Sequence, residues 1–402
     1  IVVLYMLNGG GLSGLLGGSS TTYDTTQEQQ TTNAVNYTTT TTQQQTTSSQ
    51  NTGSLLSYYS GTQSGAGWTY GSNTGKLNTS VAAGSRAKYT TIKGNNQDVF
   101  TIMVYMCGTD LESQNSMATS DLQEMAGAKF GDNINLIVYT GGCKKWQNNF
   151  TSSSVNQIYE VVNGGLKALV SDAGQVSMTN PSTLSSFIQW CAENYPANRN
   201  ELILWDHGGG SVSGYGYDEK FKSSGSMNLA GISKALTDGG VKFDFIGFDA
   251  CLMATLETGL MLDQFADYLV ASEETEPGIG WYYTDWLNAL GSDTGLATVE
   301  VGKRIVDSFV TTCAGSCPGQ SATLSVIDLA ELSNTVPASL RSFSQSLSTL
   351  ITNDRYQQIS TARNNTREFA RSSAIDQIDL VDFANRVGNG EAAALASDIR
   401  SA

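Results

Sequence analysis

From residue 99 onward, short apolar runs alternate with stretches of helical periodicity. Residues 99–106 (VFTIMVYM), 134–139 (INLIVY), 202–205 (LILW) and 243–248 (FDFIGF) are largely apolar, and the last three stop at Thr140, Asp206 and Asp249. Runs of this length, bounded by Gly and Asp, predict buried strands. Residues 268–272 and 323–327 predict two more. Residues 157–162 and 166–170, joined by Asn163-Gly164-Gly165, predict a hairpin. Helical spacing appears at 116–128, through Met117, Leu122, Met125 and Ala126. A second helix opens at Asn180-Pro181, with proline in its first turn. Further helices are predicted near 228–236, 252–265 and 299–312, with helix-rich sequence after 327, while 107–115 reads as a polar loop. Strands alternating with helices predict βαβ units, hence an α/β fold on a mainly parallel sheet.

The pattern before residue 97 is different. Residues 1–16 are apolar but shorter than the ~20 residues that span a bilayer. They predict the remnant of a signal sequence or anchor; an ordered terminal strand is the other reading. Residues 17–96 are dominated first by Thr, Ser, Gln and Asn, then by Tyr and Gly as well. Such a tract buries too little apolar surface to offset its ordering entropy, so a solvated linker with at most a few loosely docked turns is expected. The organisation expected is therefore 1–16 export remnant, 17–96 linker, 97–290 core and 291–402 C-terminal part, with truncation expected at both ends. An uncharged spacer after an apolar terminus suits an exported, surface-tethered protein.

Composition narrows the function. With 402 residues the chain can bury a large core, and its net charge of −15 argues against a nucleic-acid binder. Its six cysteines show no C-x-x-C pair, and one histidine cannot complete a Cys/His zinc pattern.

The chemistry concentrates at two strand ends. Leu202-Ile203-Leu204-Trp205 runs into Asp206-His207 and three glycines, and Phe248-Asp249-Ala250-Cys251 ends the next strand. Functional groups gather at the carboxyl edge of open α/β sheets. A thiol and the chain's single imidazole brought to that edge make a nucleophile with its proton-transfer partner. The bland alternatives are a buried strand-end cysteine and a hydrogen-bonded core histidine. A helix directly after Cys251 would favour the thiolate. The amides of Gly208 and Cys251 are candidates to stabilise an oxyanion. Asp249, two before Cys251, shares its side of the strand and would select a basic substrate side chain; it could also simply cap nearby amides. Asp206 is expected to face away. His-Gly-Gly-Gly also suits an esterase oxyanion loop, but there is no Gly-x-Ser-x-Gly elbow and no second histidine. Residues 211–227 read as a solvated loop whose Lys220 and Lys222 are open to a protease of basic specificity. The carboxylates of 271–281 suit either a calcium ion or the rim of a substrate groove, and their spacing does not favour calcium.

Three motifs in order, Trp205-Asp206-His207-Gly208-Gly209-Gly210, Phe248-Asp249-Ala250-Cys251-Leu252-Met253 and Ala271-Ser272-Glu273-Glu274-Thr275-Glu276-Pro277, resemble the clostripain family of cysteine peptidases. Tyr105-Met106 and Asp110-Leu111-Glu112 fit the same likeness, which is good over 99–290 and weaker beyond. The resemblance implies a caspase-like α/β/α sandwich and a His207–Cys251 dyad. It implies peptide or protein substrates cleaved after Arg or Lys, with Asp249 and Ser272 in the S1 pocket. It also implies self-cleavage between the two catalytic residues, with Lys222 the first candidate and Lys220 the second. No cofactor is required; calcium dependence varies in the family. A monomeric, exported enzyme that binds no nucleic acid is expected. The rival is an inactive, surface-displayed binding protein on a peptidase fold, against which the intact His207 and Cys251 argue.

Overall fold

The structure, a computed structural model, describes residues 3–5, 79–373 and 375–402. Among the described residues, ten strands run in chain order: β1 (Val3–Tyr5), β2 (Phe100–Cys107), β3 (Ile134–Gly141), β4 (Gln157–Val162), β5 (Gly165–Val170), β6 (Arg199–Trp205), β7 (Phe243–Asp249), β8 (Ala266–Ala271), β9 (Ser325–Asp328) and β10 (Gln377–Asp379). The main sheet has eight strands in the order β5-β4-β3-β2-β6-β7-β8-β9. Its five central strands are parallel; β4, β5 and β9 join antiparallel at the edges. β1 and β10 form a separate antiparallel pair. The rest of the expected export segment, and the spacer up to residue 78, lie outside the described residues.

The helices are α1 (Thr109–Asn115), α2 (Met117–Gly127), α3 (Pro181–Asn194), α4 (Gly210–Ser213), α5 (Leu229–Gly239), α6 (Leu256–Leu262), α7 (Tyr283–Ser292), α8 (Thr298–Ser316), α9 (Leu329–Thr352), α10 (Tyr356–Asn365), α11 (Leu380–Val387) and α12 (Gly390–Ser401). Strand alternation sorts them into two layers. On β2, Met103 and Tyr105 join the cluster built with α3, α5, α6, α9, α11 and α12. Ile102, Val104 and Met106 join the opposite cluster, with α2, α7 and α8. A sheet buried on both faces needs apolar side chains at successive positions, which is why these strands read as unbroken apolar runs.

Three local expectations need correction. Residues 107–115 are a helix, not a loop, from Thr109. Their sequence carries no apolar stripe, because the helix is held by a side chain: buried Glu112 accepts the Thr119 amide and hydroxyl and the Gln147 amide. The helix after Cys251 begins at Leu256, capped by the Thr255 hydroxyl, and not at 252. Leu252 has φ 68°, a left-handed conformation that interrupts any helix. Residues 79–96, the described end of the expected linker, are tied to the body by charge. Arg86 pairs with Asp263 and Asp267, Lys88 with Asp328, and the Tyr89 and Thr90 amides donate to Asp267. Hydropathy does not register such polar docking.

One polar device lies deep inside. Arg199, at the start of β6, pairs with Asp244, both side chains fully buried, and also donates to the Thr294 and Leu296 carbonyls and the Thr298 hydroxyl. Breaking a buried pair leaves an uncompensated charge, which costs about 3–5 kcal/mol. Arg199→Met is expected to lower unfolding stability by about that amount in urea titrations.

Candidate active site

The chain passes from β2 outward to β3, then returns to place β6 on the other side of β2. That reversal opens a crevice at the carboxyl edge, where α/β proteins bind ligands. Three strand ends meet there. β2 runs into Asp110, β6 into His207, and β7 into Asp249 and Cys251. Parallel register levels them, with Met106 beside Trp205 and Trp205 beside Asp249.

The residue after His207 packs directly on the backbone of Cys251. A Cβ on Gly208 would lie 1.9 Å from the Cys251 carbonyl oxygen and 3.1 Å from its amide nitrogen. Only glycine permits that approach. The next glycine but one, Gly210 (φ 63°), faces Gln377 of β10, and a Cβ there would lie 2.2 Å from its Oε1. The glycine run thus does more than expose amides: it lets three segments pack at one point. Among the described backbone bonds, neither the Gly208 nor the Cys251 N–H donates to a carbonyl.

Cys251 is half-buried, and the other five cysteines are buried; all six are free thiols. Its Sγ accepts the Glu276 N–H at 3.2 Å. The turn that carries it is pinned to the following loop, by Leu252 N–H to the Glu274 carbonyl and Ala254 N–H to the Ser272 carbonyl. Gln377 Nε2 donates to the Leu252 and Glu273 carbonyls. Leu252 packs with Phe369 and Ala370, and Cys251 and Ile375 lie against that cluster. The helix expected to favour the thiolate begins too far on to do so. Burial pushes the Cys251 thiol up to about 12, and the Glu276 and Glu274 carboxylates act the same way. The Cys251 thiol is therefore protonated at rest.

His207 makes a polar contact of 2.8 Å from Nε2 to Asp110 Oδ1. Burial alone would lower its pKa, but the Asp110 hydrogen bond and the charges of Asp206 and Asp110 outweigh this and raise it. Asp206 is buried and turned away from the ring, as expected: its Oδ1 accepts the His207 N–H and its Oδ2 the Tyr217 N–H.

Asp249 lies below Cys251 in a nest of acids. It accepts the Tyr283 hydroxyl at 2.8 Å and the Trp281 N–H at 3.2 Å. A Cβ on Gly280 would lie 3.0 Å from Asp249 Oδ1 and 3.2 Å from Asp121 Oδ2, so the two carboxylates converge on one glycine. Glu276 is buried against Asp249, with the Trp281 side chain and the Ala250 amide as its only neighbouring donors. Glu124 accepts the Tyr283 N–H. Burial raises all four carboxyls: Asp249 to about 6, Glu124 to about 7, and Asp121 and Glu276 well above the carboxylate range. No basic side chain contributes to any of these shifts. Glu276 belongs to the acidic stretch that the sequence offers as a groove rim, whereas Asp121 and Glu124 carry no signal beyond being acidic residues on a helix, which ordinarily face water.

The remaining sequence candidates divide. Ser272 is fully buried, its hydroxyl donating to the Glu274 carbonyl and bonded to Thr323. The carboxylates of 271–281 point to separate places: Glu273 to Ser325, Glu274 to the Thr275 and Ala370 amides, Glu276 to Asp249. Among the described residues, no group of three or more His, Cys, Asp or Glu side chains is arranged to hold a metal ion. The 211–227 loop is not solvated throughout. Tyr215 is buried, its hydroxyl donating to the Tyr105 and Trp205 carbonyls, and Asp218 and Glu219 are buried as well. Lys220 Nζ reaches the Ser153 carbonyl, whereas Lys222 and residues 223–226 are exposed.

A thiol and the chain's single imidazole at the ends of neighbouring parallel strands, with two amides that donate to no described carbonyl, are the parts a cysteine-dependent hydrolase uses. The sequence model of the clostripain family (Peptidase C11) matches residues 104–397, and the chain belongs to this family of cysteine peptidases. It is 28% identical over 223 residues to clostripain of Hathewaya histolytica, covering 48% of this chain and 42% of that protein. The chain thus spans less than half the length of that curated relative. Two crystal structures of secreted C11 cysteine proteases from Bacteroides thetaiotaomicron share the fold. One, bound to an irreversible peptide inhibitor, aligns with TM-score 0.55 and 21% identity over 75% of this chain and 82% of that one. The other, iotapain, gives 0.54 and 17% over 75% and 84%. Among the described residues, no helix is long and apolar enough to cross a membrane.

Gly208→Ala tests the backbone contact. The methyl group must displace the Cys251 carbonyl, and a displacement of about 1 Å costs about 100-fold in rate. A loss of that order in kcat/KM is expected, with the circular dichroism spectrum unchanged.

Proposed function

We propose that this protein is an exported cysteine endopeptidase that cleaves peptide and protein substrates after Arg or Lys. The observation that carries the reading is the acid nest. Three buried carboxyls, Asp121, Asp249 and Glu276, and the half-buried Glu124 lie together with no basic side chain to balance them. Buried charge is costly unless paired, so an empty nest of this kind is stabilised by an incoming guanidinium or ammonium group. Glu276 ties this pocket to the chemistry, since its N–H meets the Cys251 sulfur and its carboxyl lies on Asp249. Asp249, with Glu276 and Asp121, binds the basic side chain, and Ser272 holds the loop that carries Glu276.

In this reading, Cys251 Sγ attacks the scissile carbonyl carbon while its proton passes to His207. The carbonyl electron pair moves onto the oxygen, which the Gly208 and Cys251 amides receive. Collapse of the tetrahedral species expels the amine, which takes the proton from His207. Water, deprotonated by His207, then cleaves the thioester and the sulfur regains its proton. These steps need only side chains and backbone amides, and assay with and without a chelator tests for calcium. Export and tethering are supported by the apolar 1–16 segment and by the secreted relatives. Activation follows self-cleavage after Lys222, the exposed candidate, with Lys220 second. Both flanks stay anchored, by Tyr217 N–H on Asp206 and Met227 N–H on Tyr215.

Cys251→Ala is expected to abolish cleavage of arginyl and lysyl peptides; measurable turnover would sink the reading. Asp249→Asn should raise KM for basic substrates by about 100-fold, as loss of a buried charge partner costs about 3 kcal/mol or more. Asp249 is charged above about 6, so KM for wild type should climb as pH falls through that value, with kcat less affected. A KM flat from pH 5 to 8 would exclude Asp249 as the cation partner. For processing, the expected new N-terminus is Ser223, read by terminal sequencing and absent in Cys251→Ala.

A further inference from the structure

We propose that Asp110 is the positioning residue of the site: its carboxylate holds the His207 ring through Nε2, in the tautomer whose Nδ1 is free to take up a proton. The proposal rests on the reading of His207 as the proton carrier. The contact is short, 2.8 Å, and joins residues 97 positions apart. Its geometry is built in. β2 and β6 are adjacent and in parallel register, so the residues just past their ends share one crevice. Asp110 is then fixed by its own helix. Gly108 N–H is held by the Gly141 carbonyl, Thr109 is buried at φ 45°, and Glu112 is clamped by three donors. A left-handed non-glycine residue of this kind costs about 1–3 kcal/mol and persists where the surroundings impose it.

The rival for the same task is Asp206, and it is occupied. Both its oxygens receive backbone amides, so it bears on the ring by charge alone. The charged groups around the pair are Asp110 on α1 and Asp206 after β6, with Lys222 of the loop acting on Asp110. Glu274 and Glu276 act on the thiol instead. The His207 hydrogen bond holds Asp110 below the usual carboxylate range, so it is ionised at neutral pH. An ionised carboxylate can only accept, which assigns the ring proton to Nε2. It also steadies the imidazolium formed when the thiol proton arrives.

His207 is the only histidine in the sequence, so one labelled residue reports the outcome directly. The test uses the full chain carrying 15N-histidine and no histidine tag, comparing wild type with Asp110→Asn and Asp110→Ala. Wild type should show the Nε2–H tautomer. Both variants should titrate at lower pH, and the acid limb of kcat/KM should move the same way, because a less basic imidazole stays unprotonated further into acid. kcat should fall by about 100-fold, within the range for general acid–base groups, with KM changed by no more than about twofold. Asp110→Asn is nearly isosteric, so it keeps the test open if the alanine variant fails to fold. An unchanged histidine titration and tautomer in Asp110→Asn, with His207→Ala inactive, would overturn the proposal and leave the His207 reading standing. Full activity in His207→Ala would overturn both.

Discussion

In a parallel sheet, neighbouring strands that run in register finish at the same height. Here the pairing of Met106 with Trp205 and of Trp205 with Asp249 brings three strand ends level. Asp206 N–H continues the ladder to the Asp249 carbonyl, and the glycine after His207 then lies on the Cys251 backbone. The Gly208 and Cys251 backbones meet because the β6–β7 register sets both strand ends at one level. A slip by one residue would turn every side chain on the strand to the opposite face and dismantle the site along with both cores.

The acid nest is the other side of the same construction. Burial that makes the β7 end rigid also raises the pKa of Asp249, Asp121 and Glu276. The empty protein meets this by keeping protons on some of these groups, which is the cheaper state when no cation is near. Such a site is less stable than an apolar replacement would be. Carboxyls buried among like charges in this way mark a candidate functional site.

The nucleophile turn depends on parts of the chain far from it. Leu252 holds a left-handed conformation because loop 272–276 and Gln377 claim its amide and carbonyl. Phe369, Ala370 and Ile375 add an apolar backing against Leu252 and Cys251. The C-terminal part is thus structural support for the turn that carries Cys251. It also leaves Cys251 clear of any helix terminus, so no helix dipole acts on the sulfur.

The sequence by itself determined the strands, the main helices that alternate with them along the chain and the α/β class, and it singled out His207 and Cys251 as candidates. Those features are written in short-range patterns: apolar runs that stop at a reactive residue, a proline opening α3, a glycine run after a lone histidine. It also marked Asp249, because two residues apart on a strand means the same side. Tertiary structure alone decided that Asp121, Glu124 and Glu276 join Asp249, that Asp110 meets His207, and that Gln377 grips the nucleophile turn. Residues distant in sequence carry no periodicity that links them, and a carboxylate reads the same whether it faces water or a buried neighbour. The polar helix α1 and the docked residues 79–96 escaped for that reason too, since hydrogen bonds and ion pairs hold them, and those exist only once the chain has folded.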